Sequence, residues 1–438
     1  MNNKSILWIT VFVTAVLMIL SGEKDYWFHI LSLVLLAFSS SVYVRFDIHH
    51  PLCLYISMVT LYSVGYAILY SFDFSTVVTR YGYNKATLVY LWFSIVLMIV
   101  LLPKKRVNFR KCPDKLKYIG NYSITRKITT ILSLLTFIGI FYIKITGFEG
   151  KGDIYENGGF AINLLAKIIY FNLLFYTYHM YLSLLNGIKV DKKWFLINFG
   201  SIALFGLVTG ERDYFFHVLL TTFLIYYSLG KIKKKMLPVY GFAGILLIVL
   251  SKVFKYAFLG GSSGEGAEFG MQGLFLQFID GEFSSVGRNM QVLVSEGYEN
   301  YFGGTSLLID LLRVFYDFGF SSQRWFNETV LYYISTGYGF TLVGEGYING
   351  GIFGIILVVS ISTLLLRYLY IKTQASFIYI VIYIYMLPQF IYATRADITN
   401  IMSPLLKHAI LGIVLLNLLS KFLTKKNKYD EDFNSHRV

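Results

Sequence analysis

Residues 189–235 read KVDKKWFLINFGSIALFGLVTGERDYFFHVLLTTFLIYYSLGKIKKK. Two apolar runs, 195–208 and 214–229, are interrupted once, by Thr209-Gly210-Glu211-Arg212-Asp213, and lysines flank the far side of each. Hydrocarbon tolerates only backbone whose polar groups are satisfied within the segment, so the two runs read as helices of a membrane hairpin. Lysines gather in cytoplasmic loops, which puts both open ends of the hairpin in the cytoplasm and the TGERD turn at the outer face.

Working outward from this hairpin, the same signal recurs. Apolar runs lie at 5–20, 26–44, 52–70, 86–102, 128–145, 161–185, 195–208, 214–229, 237–256, 346–366, 377–391 and 401–419. The run at 5–20 follows Lys4 but precedes no A-x-A-like cleavage site, so it reads as an uncleaved first span. The expected fold is an all-α polytopic membrane protein of about twelve transmembrane helices with both termini cytoplasmic. Composition agrees: 56% of the 438 residues are hydrophobic and 15% charged, whereas about 25% of a soluble domain is charged. The net charge of +14 collects mainly in the loops assigned to the cytoplasm, so it sets orientation and gives no reason to expect nucleic acid. Cys53 falls in an apolar run and Cys112 in a basic loop, so no disulfide is expected between them.

One outer stretch is too long to be a bare loop. Residues 260–340 contain no lysine and nine acidic residues against Arg288, Arg313 and Arg324. A segment of this length without its own structure is improbable, and it reads as a large, partly helical cap. The expected organisation is therefore nine spans over 1–259, the cap over 260–340, three spans over 341–422 and a cytoplasmic tail over 423–438. Inside the cap, residues 305–318 read TSLLIDLLRVFYDF, which as one helix would place Asp310, Arg313 and Asp317 on a common face.

Cations in or beside the outer halves of spans are the most informative residues. These are Lys144, Lys167, Arg212, Lys252, Lys255, Arg395 and Lys407. Snorkelling to the nearby surface accounts for Lys144, Lys252 and Lys255. Lys167 and Lys407 lie deeper, where snorkelling and a cation facing a cavity, a partner or a ligand are both open readings. Together they suggest an outward-facing place for an anion such as phosphate or pyrophosphate. Arg212 sits in the tight TGERD turn, where helix-end N–H groups can join a guanidinium in holding an anion; a pair with Glu211 or Asp213 is the structural alternative. A second constellation, Glu345-Gly346-Tyr347-Ile348-Asn349-Gly350-Gly351-Ile352-Phe353-Gly354, puts Glu345 and Asn349 on one helix face at the mouth of a span. Gly350 and Gly354 there form a small-xxx-small pair suited to close helix packing. A third cluster is Ala393-Thr394-Arg395-Ala396-Asp397. No soluble-enzyme motif, metal-ligand spacing or cofactor fingerprint is present, and no histidine lies between His217 and His408.

With these residues in place, the layout resembles the Wzy-type O-antigen polymerase family of bacterial repeat-unit polymerases. The matching elements are Gly210-Glu211-Arg212, the late outer cap, and Glu345-Gly346-Tyr347-Ile348-Asn349-Gly350-Gly351. The resemblance implies a GT-C-like, multispan, metal-independent glycosyltransferase of the bacterial cytoplasmic (inner) membrane, its active site facing the periplasm or exterior, with no cofactor. Its substrates would be oligosaccharide repeats linked to undecaprenyl pyrophosphate. The growing glycan would pass from one lipid carrier to the incoming repeat on another, with a flippase and a chain-length regulator as possible pathway partners. Under that reading Arg212 and Arg395 stabilise the departing pyrophosphate, and Arg288 and Arg313 close over it from the cap. Lys167, Lys407 and Asn349 contribute to binding. Glu345 or Asp213 orients or deprotonates the acceptor hydroxyl. Trp325 and Tyr338 could stack on sugars, although aromatic belts at membrane interfaces are the commoner reason for such residues.

Two other functions fit part of the pattern. An O-antigen ligase shares the topology and the lipid donor, but that family's pattern places a histidine in the outer loop. A flippase for the same lipid-linked glycan would carry buried cations on both sides of the midplane and would not need so large a cap.

Overall fold

The computed structural model describes residues 3–74, 78–111, 121–146, 159–209, 211–241, 243–244, 247, 279, 283–332 and 339–422, and among them it is helical with no strand. Most of the run at 237–256, the tail, Cys112 and Tyr338 lie outside the described residues. Among the described residues, six helices are long and apolar enough to cross a membrane: Tyr26–Tyr43, Leu54–Ser71, Asn121–Thr146, Ala161–Leu185, Leu342–Lys372 and Thr399–Phe422. Shorter apolar helices cover Lys4–Leu20, Lys85–Leu101 and Phe377–Ala393. The chain forms two compact units, each assembled from separated segments.

One unit comprises Asn108–Ser263, Lys372–Pro388 and Pro404–Val438. Its described helices include α5 (Asn121–Thr146), α6 (Gly159–Leu185), α7 (Lys192–Thr209) and α8 (Arg212–Ser228). Helix α5 reverses the pattern of a water-soluble helix. Thr125, Thr129, Ser133 and Thr136 are buried, while Ile131, Leu134, Ile138 and Phe141 are exposed. The inward hydroxyls are spent on neighbouring helices. Ser133 donates to Asn198 Oδ1 at 2.8 Å and accepts from Asn172 Nδ2 at 3.0 Å, and Trp194 Nε1 donates to Thr129 Oγ1 at 3.0 Å. Where lipid surrounds the bundle, apolar side chains gain nothing by turning inward, so small polar residues do the joining and apolar ones face out. The sequence hairpin is present as α7 and α8, separated only by Gly210 and Glu211. Gly206 permits the tight return: a Cβ there would lie 2.9 Å from the Glu211 carbonyl oxygen.

The other unit comprises Met1–Val107, Gly264–Ile371 and Gln389–Ser403. Here α9 (Ser285–Ser295) is buried along 285–293. It packs against α3 (Leu54–Ser71) where each helix has a glycine. A Cβ on Gly65 would stand 2.2 Å from the Phe283 carbonyl, and one on Gly287 would meet Tyr66 and Ser63 at 2.2 and 2.5 Å. Part of the expected cap is thus packed among helices of its unit.

Two further elements depart from the sequence reading. Helix α10 runs only Thr305–Leu312, so Asp317 lies beyond it and is exposed, accepting the Gly319 N–H at 2.9 Å. Helix α12 (Leu342–Lys372) is broken at Gly350 and Gly351, the latter at φ 55°, a left-handed conformation that favours glycine. The chain folds back at this break. A Cβ on Gly354 would lie 2.0 Å from the Gly346 carbonyl oxygen, and one on Gly346 would lie 2.6 Å from that of Gly354. The small residues therefore serve a close approach within one broken helix, between Gly346 and Gly354. Gly350 has nothing within 4 Å of its Cβ position.

Candidate active site

The fold-back presents residues 342–349 to α10 and to the turn that follows α13 (Phe377–Ala393). Asn349 is the bracket between α12 and α10. Its Oδ1 accepts from Ser306 Oγ at 3.0 Å and from the Leu307 N–H at 3.2 Å, satisfying an amide in the first turn of α10, while its Nδ2 donates to the Glu345 carbonyl at 2.8 Å. Glu345, one turn earlier and fully buried, accepts the Ile398 N–H on Oε2 at 2.8 Å. Its Oε1 has no hydrogen-bond partner among the described residues.

Between them lies a three-residue ionic arrangement. Arg313 Nη1 is 3.0 Å from Asp310 Oδ1, and Nη2 is 2.8 Å from Asp397 Oδ2. Both aspartates are fully buried. Asp310 also accepts the Ser322 N–H at 3.2 Å, and Asp397 Oδ1 accepts from Asn400 Nδ2 at 2.8 Å. Thr399 Oγ1 donates to the Asp310 carbonyl at 2.5 Å. Glu345 also interacts electrostatically with Arg313, so three carboxylates share the field of one guanidinium. Burial and the neighbouring Asp397 carboxylate push Asp310 up to about 6, against the opposing pull of Ser322 and Arg313. Among the described residues no group of three or more His, Cys, Asp and Glu is arranged to hold a metal ion; these carboxylates turn to Arg313 and to backbone N–H groups.

The remaining expected cations of this unit lie on a connected hydrogen-bond path. Arg288, 1% exposed, donates through Nε to Asn289 Oδ1 at 3.0 Å. Asn289 Nδ2 donates to the Phe340 carbonyl at 3.0 Å, and the Phe340 N–H donates to the Arg395 carbonyl at 2.9 Å. Gly339, at φ 75°, is required here, because a Cβ would lie 2.8 Å from that same Arg395 oxygen. The Arg395 side chain is half-buried, its guanidinium carbon 5.2 Å from the centre of the Tyr392 ring.

The other unit gathers a second set. Lys167 on α6 and Lys407 in Thr399–Phe422 are exposed, and both act electrostatically on the buried His408. The His408 ring stacks on Tyr170 at 4.7 Å between centroids, and Tyr170 in turn contacts Tyr214 at 5.3 Å and feels Glu211 and Asp213. Arg212 opens α8 beside this group; its side chain lies outside the described residues.

The structure thus separates the expected residues into two groups. Arg288, Arg313, Glu345, Asn349 and Arg395 belong to one unit, and Lys167, Lys407, Arg212 and Asp213 to the other. Sequence reasoning gave no role to Asp310, Asp397, Tyr170 or His408. The signal for His408 was available, since an ionisable residue in a span beside a lysine marks function by default. Asp310 was visible only as a helix neighbour of Arg313.

Inverted polarity in the helices, apolar spans and buried ionic groups define a multi-pass membrane protein. A model of the family O-antigen polysaccharide polymerase Wzy matches residues 4–427, and the chain belongs to that family. No match was found among curated proteins or among solved structures.

Proposed function

We propose that this protein polymerises lipid-linked oligosaccharide repeats into O-antigen or a related surface polysaccharide at the outer face of the bacterial cytoplasmic membrane. In this reading the chain crosses the membrane about twelve times with both termini inside, in a GT-C-like arrangement, and needs neither metal nor cofactor. The donor's anomeric carbon leaves its bond to undecaprenyl pyrophosphate and bonds to a hydroxyl oxygen of the incoming repeat, whose proton passes to a base. Negative charge grows on the departing pyrophosphate, so cations already in place lower the barrier.

The observation that carries this reading is the family match over residues 4–427, and it is supported by Lys167 and Lys407, which both act electrostatically on His408 where its ring stacks on Tyr170. Donor and acceptor each bring a pyrophosphate, so the reaction calls for two anion-holding places. Lys167, Lys407 and Arg212 supply one set of cations. Asp213, half-exposed, is the better candidate to meet an acceptor hydroxyl. Glu345 is fully enclosed and acts as a positioning residue that holds the Ile398 turn. Arg313, engaged by two aspartates, likewise positions Asp397.

Deleting the gene in its native host tests the function. Surface glycan should shrink to a single repeat on its acceptor; complete loss of surface glycan would point to a flippase or a ligase. Cysteine accessibility at Gly264 and Lys234 tests the membrane side, since only Gly264 should react from outside.

A further inference from the structure

The outer segment carries an aromatic group that the ionic site does not use. Tyr301 is 60% exposed and stacks on Trp325, with ring centroids 5.6 Å apart and planes at 24°. Trp325 is held edge-on by Tyr298 at 5.2 Å and by Phe302 at 4.9 Å. The backing rings fix the platform, so its open face is rigid and presented to whatever lies outside. The loop carrying it turns through Gly297, Asn300, Gly303 and Gly304, all at positive φ. It is bonded to the folded-back part of α12: the Asn300 N–H donates to the Tyr347 carbonyl at 2.9 Å, and the Phe302 N–H to that of Ile348 at 2.8 Å. Glu345 and Asn349 of the ionic site flank those two residues in sequence, so the platform and the ionic site share one rigid support.

Glu299 and Asn300, both exposed, precede Tyr301 in the chain, and Arg324, which precedes Trp325, pairs with Glu328 at 3.1 Å, both well exposed. Burying these groups in hydrocarbon would be costly. The outer face of α10 and the turn after it are different, with Leu308, Leu312, Phe315, Tyr316 and Phe318 exposed together. A rigid, exposed ring with polar and charged residues beside it in the chain suits a molecule with one apolar face and hydroxyl edges. Rigid aromatic side chains bind such ligands at low entropic cost, and a few polar groups fix their orientation.

We infer that Tyr301 and Trp325 form a glycan subsite, on which a pyranose ring of the oligosaccharide repeat stacks while the exposed neighbour Asn300 meets its hydroxyls. The inference rests on the polymerase reading for the identity of its ligand.

The test uses the full-length protein in lipid nanodiscs and, as probe, the oligosaccharide released by mild acid from the host's own lipid-linked repeat. Tryptophan fluorescence is compared between the unaltered protein and Trp325→Phe, so that the Trp325 signal is isolated from the other tryptophans. The oligosaccharide should shift that signal, and Tyr301→Ala should weaken apparent affinity about tenfold while Tyr301→Phe stays within about twofold. Tyr301 is exposed, so its truncation leaves the fold intact, which an unchanged melting temperature would verify. Binding that ignores Tyr301→Ala overturns the subsite. So does a Trp325 signal insensitive to oligosaccharide but quenched by brominated acyl chains, which would make these rings part of an interfacial belt. If lipid-linked repeats are not joined yet the oligosaccharide still reads on Trp325, the polymerase reading falls and the glycan subsite stands.

Discussion

Arg313 Nη2 lies 2.8 Å from Asp397 Oδ2, joining residues 84 positions apart, while Nη1 of the same guanidinium lies 3.0 Å from Asp310 Oδ1. One planar fork therefore ties α10 to the turn after α13, and neither aspartate has access to solvent. Replacing Arg313 by Ala leaves two buried carboxylates without their cation, a change that costs about 3–5 kcal/mol when a buried pair is broken from one side. Arg313→Lys keeps the charge but cannot span both partners with a rigid fork, so it should recover only part of the loss. Thermal unfolding of the detergent-purified protein checks the order: unaltered, then Lys, then Ala. Equal melting temperatures for all three would show that the fork does not hold these elements together.

Asp310 gives a pH dependence with a definite sign. Its carboxyl is pushed up to about 6 in the folded protein from an ordinary 3.8, chiefly by burial and then by Asp397. Between those values the folded state holds more protons than the unfolded one, so this group's contribution to stability falls as pH rises through the window. Asp310→Asn imitates the protonated form and should flatten that part of the profile. Melting temperature from pH 4 to pH 7 for both proteins is the measurement; parallel curves would mean that Asp310 does not titrate there.

How much of this was legible in the sequence differs by element. The hairpin of α7 and α8 was plain because its signals are local: apolar runs, flanking lysines and a single polar break. The proximity of Glu345 to Asn349 was also legible, since four residues make one helical turn. The pairing of Arg313 with Asp397 was not, because nothing local relates residues so far apart. The break in α12 was hidden for another reason. A glycine pattern that permits close packing between two helices equally permits one helix to fold back on itself, and only coordinates distinguish Gly346 against Gly354 from a contact between spans.

That fold-back leads to a contrast between glycines. A methyl group on Gly354 would be driven to within 2.0 Å of the Gly346 carbonyl, and backbone on both sides leaves little room to yield. Gly354→Ala should therefore destabilise by about 1–3 kcal/mol, the usual effect of overpacking. Gly200→Ala is the control. It lies within α7 with nothing inside 4 Å of its Cβ position, so alanine there should be neutral or slightly stabilising. Protein accumulating equally from both variants, with equal melting temperatures, would remove the close approach from the account.

Lys167 and Lys407 are exposed and spaced to act on the same imidazole, so their removal should disturb binding more than folding. A charge-assisted hydrogen bond to pyrophosphate contributes enough that each Lys→Ala change should raise KM for the lipid-linked substrate about tenfold. Arg212→Ala should go further and abolish long chains while the protein still accumulates in the membrane, because a guanidinium at a helix start can grip two phosphate oxygens at once. Polymer formation against substrate concentration, measured on purified protein in nanodiscs, separates KM from kcat. High salt should weaken the unaltered protein and leave the Lys167→Ala, Lys407→Ala double variant comparatively unchanged, since screening removes an attraction that the variant has already lost. If the double variant keeps a normal KM and a normal salt response, these lysines belong to the rim of the membrane and the anion is held elsewhere.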